Sequence, residues 1–155
     1  MLFLLFAYFG NAQLIQIDGR EYIDTARGSD TGNCKTTNIY YYQVDGKYPE
    51  NSYTLLHAVT TYLDNFELKG LKNGYITFRF TIDCKGQLVR FVEVLQTNEL
   101  YKKAAFEIAF LNKLYQYIRT LKDWKKATLK NSYPCAYKAF LTFKIKDGKV
   151  DNIIP

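Results

Sequence analysis

His57 is the only imidazole in a chain of 155 residues, so any Ser-His-Asp or Cys-His chemistry would have to run through it. Leu55, Val59, Tyr62 and Phe66 recur around it at helical spacing, and His57 falls on the opposite side of that stripe, near Thr61 and Asp64. It has no Gly-rich elbow and no neighbouring thiol, and it reads as an exposed helical side chain. Cys34, Cys84 and Cys135 match no zinc-ligand spacing, and a single histidine removes most mixed sites. The nine glycines mark isolated turns rather than a phosphate-cradling loop. Asp83 ends a strand just before Cys84-Lys85-Gly86, where it is placed to cap a turn. No carboxylate pair is flagged by spacing for acid–base work. These residues predict a chain that is not an enzyme and that takes no cofactor and no metal.

The formal charge of +6 arises from 21 basic and 15 acidic residues. Such a balance suits anionic partners, but the lysines are scattered, with short clusters only at Lys102-Lys103 and Lys125-Lys126. No helix carries a basic stripe and no strand carries paired aromatics beside glycine, so nucleic acid is not predicted as a partner. The aromatic share of 17% includes 14 tyrosines, a composition suited to strands with one dry and one half-wet face.

Residues 2–6, Leu-Phe-Leu-Leu-Phe, follow Met1 directly, and the apolar run continues to Phe9 before Gly10-Asn11-Ala12. That pattern reads as a secretory signal peptide over 1–12, cut after Ala12; the alternative is a buried N-terminal strand. The run falls short of the roughly 20 apolar residues that span a bilayer, and no transmembrane segment is predicted in the mature chain. Export makes the location periplasmic or secreted. In an oxidising compartment two of the three cysteines can pair, in any of three ways, leaving one free.

The elements follow from periodicity. Residues 13–47 form a polar lead-in with one short strand near Ile39-Tyr40-Tyr41-Tyr42. A helix is predicted over 52–66, with Ser52 as its N-cap. Ile76, Phe78, Phe80 and Ile82 alternate with Tyr75, Thr77, Arg79 and Thr81, the pattern of a strand with one dry face. Gly86 turns it into a return strand, which makes a hairpin over 74–95. A second helix over 99–121 carries two apolar stripes. One is Ala104, Ile108, Leu111, Tyr115 and Ile118; the other is Phe106, Phe110, Leu114, Tyr117 and Leu121. A strand over 137–146 follows, then Asp147-Gly148 and a short strand over 150–154. The expected fold is α+β, a small mainly antiparallel sheet packed against two helices.

The segment Gly74-Tyr75-Ile76-Thr77-Phe78-Arg79-Phe80-Thr81-Ile82-Asp83, with Gly86 and its return strand, resembles the hairpin of TonB C-terminal-like domains. Trp124 and Ala127 match that family's W-x-x-A element, and Phe143-Lys144-Ile145-Lys146-Asp147-Gly148-Lys149-Val150 resembles its closing strand and turn. The resemblance covers residues 48–155. Its usual proline between first helix and hairpin is replaced by Phe66-Glu67-Leu68-Lys69-Gly70, and neither a membrane-anchoring helix nor a Pro-rich spacer is seen. The resemblance implies an envelope location and binding of a protein or peptide partner by β-augmentation beside the last long strand. Tyr137, Lys138, Phe140, Thr142 and Lys144 would then line an edge strand, unless residues 150–154 fold back over it. The alternative is a structural envelope protein that forms a homodimer through the broad face of the helix at 99–121.

Overall fold

The computed structural model describes residues 34–129 and 133–155, together with the backbone of 14–17 and 20–23. The predicted leader, residues 1–12, lies outside the described residues.

Two short strands come first, β1 (Leu14–Ile17) and β2 (Arg20–Ile23). Then come β3 (Lys35–Tyr40), a 3-10 turn (Tyr41–Gln43) and helix α1 (Ser52–Tyr62). The hairpin is β4 (Gly74–Ile82) and β5 (Leu88–Thr97), followed by helix α2 (Ile108–Thr120). The chain closes with β6 (Ala127–Leu129), β7 (Tyr133–Lys146) and β8 (Lys149–Ile154). The protein is α+β. One mixed sheet runs β1-β2-β5-β4-β7-β3, with β6 and β8 also paired to β7. Every pairing among the described residues is antiparallel except β3 with β7. The polar lead-in therefore holds three strands rather than one. Its backbone groups find partners on β5 and β7, which no local pattern announces.

The hairpin forms as its alternation predicts. Ile76, Phe78, Phe80 and Ile82 are fully buried, while Tyr75, Thr77, Arg79 and Thr81 are half-buried on the other face. Asp83 Oδ1 accepts from the amides of Lys85 (2.9 Å) and Gln87 (2.8 Å), which fixes the turn. Gly86 has φ +80°, and a Cβ there would stand 2.4 Å from the carbonyl oxygen of Trp124. Both the backbone angle and the lack of room demand glycine.

Both helices are shorter than their apolar patterns suggest. α1 is capped by Asn51, one residue before the predicted Ser52, its Oδ1 accepting from Thr54 N at 2.9 Å. It stops at Tyr62, and Asn65 then takes φ +61°. α2 begins at Ile108 rather than near 99 because the preceding amides are taken elsewhere. Asn98 Oδ1 accepts from Leu100 N and Lys102 N, at 2.9 and 3.0 Å, in an Asx turn. The buried side-chain oxygen of Gln96 accepts from Phe106 N at 2.7 Å. Phe110, Leu111, Leu114, Tyr115, Tyr117 and Ile118 of α2 are buried and belong to one core with the inward side chains of α1, β4 and β7.

That core is closed at one end by Trp124. Its ring meets Tyr48 at 4.7 Å and Phe80 at 5.1 Å, both edge-on, and its Nε1 donates to Leu121 O at 3.1 Å. Cys34 and Cys84 form a disulfide that ties the start of β3 to the hairpin turn, and Cys135 is left as a buried free thiol.

Candidate functional site

The residues expected to line an edge are not at an edge. β7 pairs with β4 from Tyr137 to Ile145 on one flank. It also pairs with β3 over Cys135–Lys138 and with β8 over Thr142–Lys146. The expectation of a marginal strand over 137–146 is therefore corrected. β7 is the best-flanked strand of the sheet, because β8 folds back along it through the Asp147-Gly148 turn.

Each of the five side chains is spent inside the fold. Tyr137 points into the core with no exposed surface, and its hydroxyl donates to Lys125 O at 2.8 Å. Burial, aided by nearby Cys135, raises its phenol above the ordinary range. Phe140 lies on the open face under Tyr40 (stacked, 5.8 Å) and Tyr41 (edge-on, 6.1 Å). Lys138 Nζ stands 5.7 Å from the centre of the Tyr40 ring. Thr142 shares a hydrogen bond with Thr77 at 2.9 Å across the β4–β7 pair. Lys144 Nζ donates to Asp151 at 2.7 Å; this bond raises the lysine and lowers the carboxylate relative to their usual ranges.

The open face of the sheet is not bare. Arg79 of β4 forms an ion pair with Glu93 of β5, and Tyr75 stacks on Tyr101 at 5.0 Å. Tyr101 itself sits at φ +59° in the Asx-turn loop.

A margin does exist, one strand further out. β8 pairs with β7 alone. In an antiparallel ladder, successive residues turn their N–H and C=O alternately toward and away from the neighbour. The amide of Ile153 donates to the Oδ1 of Asn152, the preceding residue, at 2.8 Å. The Ile153 side chain meanwhile is fully buried in the core. Its backbone thus lies on the rim of the sheet while its side chain anchors the strand. Asn152 was not singled out by sequence reasoning; an asparagine within a short strand just after an Asp-Gly turn is the signal that was there to use.

The chemistry-bearing residues stay apart. His57 is exposed on α1, and its carbonyl accepts from Thr61 Oγ1 at 3.0 Å. Among the described residues no group of three His, Cys, Asp or Glu side chains is placed to hold a metal ion. No helix among them is long and apolar enough to cross a membrane. Burial raises the Cys135 thiol, which disfavours its reactive thiolate. Compared with known proteins, the chain matches no family, no curated protein and no solved structure.

Proposed function

We propose that this is a non-catalytic exported protein that binds an extended partner segment by β-augmentation along the outer rim of β8, as its resemblance to TonB C-terminal-like domains implies. The observation that carries the reading is that β8 pairs with β7 alone, which leaves its other flank on the rim, where the Ile153 amide donates to the side chain of Asn152. An incoming strand would exchange that side-chain oxygen for a backbone carbonyl, so little hydrogen-bond energy is lost at the start of docking. The Cys34–Cys84 disulfide supports export, since such bonds persist in oxidising compartments. The rim replaces β7 as the docking strand because β7 is already flanked on both sides.

The alternative of a structural homodimer through α2 has less in its favour, since the apolar face of that helix is buried in the chain's own core. Ile108 is its one large apolar exception, 58% exposed. A homodimer through paired β8 rims is the form of assembly that the same amide would serve.

Panning a displayed peptide library against the chain and following amide exchange on each bound hit tests the proposal. Binding should slow exchange at Ile153 and compete between unrelated hits. Hits that protect only amides remote from β8 would reject it.

A further inference from the structure

On the helix side of the sheet, a cleft of about 370 Å³ opens between the end of α1 and the start of β8. That volume lies within the range of small-molecule sites. Leu63, Phe66, Phe110 and Val150 supply the apolar part of its lining, with the two phenylalanine rings 5.5 Å apart and tilted by 35°. Asp64, just after α1, and Lys149, at the start of β8, both line it.

Both walls are held in place by the backbone. After α1, Asp64 N donates to Thr61 O (3.2 Å) and Phe66 N to Leu63 O (2.8 Å). Across the cleft, the β7–β8 turn is pinned by Gly148 N to Lys72 O (3.0 Å) and Asp147 N to Asn73 Oδ1 (2.7 Å). The backbone on both sides is therefore fixed, so a ligand would have only side chains to order.

Neither charge is used in an ion pair. The ion pairs among the described residues are Arg79–Glu93, Lys125–Asp45 and Lys144–Asp151, and neither Asp64 nor Lys149 takes part. Asp64 accepts only a neutral donor, Asn65 Nδ2 at 2.8 Å. An anionic and a cationic group that line one cleft with two aromatic rings complement a small zwitterion with an apolar body.

We propose that this cleft binds an α-amino acid with an apolar side chain. The ammonium sits on Asp64, the carboxylate on Lys149, and the side chain lies against Phe66 and Phe110. The site uses only the first two residues of β8, Lys149 and Val150, and does not include Ile153, so its test and that of the rim read different residues.

The test is a titration of the full chain with L-phenylalanine, followed by amide chemical shifts. The expected result is saturable shifts confined to residues 60–66, 110 and 148–150. Asp64→Asn and Lys149→Met are exposed changes that leave the core intact, and each should weaken binding about two- to fivefold, the range for exposed charge pairs. Phenethylamine, which lacks the carboxylate, should be insensitive to Lys149→Met. 3-Phenylpropionate, which lacks the ammonium, should be insensitive to Asp64→Asn. Absence of saturable shifts, shifts centred elsewhere, or unchanged affinity in both variants would overturn the proposal.

Discussion

Gly46 lies flat against the ring of Tyr137, so closely that a Cβ on it would stand 2.5 Å from Cε2. The ring cannot swing away, because it is fully buried and its hydroxyl is tied to Lys125 O at 2.8 Å. Gly46→Ala should therefore destabilise the fold by about 1–3 kcal/mol, the range for overpacking a dense interior. Urea denaturation measures it. A double variant with Tyr137→Leu should recover part of the loss relative to Tyr137→Leu alone, since the clash and not the loop carries the cost.

The rim of β8 makes a second prediction. Asn152→Ala removes the oxygen that holds the Ile153 amide and should cost about 1 kcal/mol or less. Exchange at that amide should quicken, while the Phe143 and Ile145 amides beneath keep their protection. If the rim docks a strand, peptide affinity or self-association rises in this variant, because the competing side chain is gone.

Deleting residues 149–155 is a harsher change. It removes Ile153, whose side chain has no exposed surface, and uncovers the flank of β7 from Thr142 to Lys146. Losing one buried isoleucine costs about 1.5–3 kcal/mol before any ladder bonds are counted. Sedimentation across concentration should show dimers or larger species as bare β7 strands pair. A truncated chain that stays monomeric and equally stable would mean that β8 protects nothing.

The Cys34–Cys84 bond closes a loop with a sequence separation of 50 residues. Chain-entropy arguments put its contribution at about 4 kcal/mol, much of it from restricting the unfolded chain. The Cys34→Ala, Cys84→Ala pair should lower the denaturation midpoint by a matching amount, and reductant should do the same to the native chain. Cys135→Ala, which touches no bond, should leave the sensitivity to reductant unchanged.

Two buried phenols predict an alkaline limit. Burial pushes Tyr117 from the ordinary 10.0 up to about 12 and raises Tyr137 as well, each phenol donating to a backbone carbonyl. In the unfolded chain these groups ionise near pH 10, so above that pH the unfolded state binds fewer protons than the folded one. Their contribution is complete below pH 10 and is lost as the pH rises toward 12 and beyond. Tyr117→Phe should flatten the fall in stability between pH 10 and 12, as followed by circular dichroism.

The hairpin, the two helices, the strand from 137 and the return at 150–154 were all legible in the residues. Each rests on a local repeat: Ile76-Phe78-Phe80-Ile82 at a period of two, or Leu111-Leu114-Tyr115-Ile118 at helical spacing. Their ends were less legible. Asn98 and Gln96 hold back the start of α2, and they do so with single side-chain oxygens that leave no periodic trace. The candidate edge was misplaced for a related reason. Alternation along Tyr137–Ile145 shows that one face is dry but is silent about which strands lie on either flank.

By itself the order of residues determined which segments could be strands or helices and which side of each had to be dry, because those demands act between neighbours in the chain. Only the folded arrangement decided that Cys34 meets Cys84, that β3 runs parallel to β7, and that β8 rather than the second half of β7 lies at a rim. These are pairings between segments far apart in sequence, where backbone hydrogen bonds are satisfied by whichever partner the closed core brings alongside.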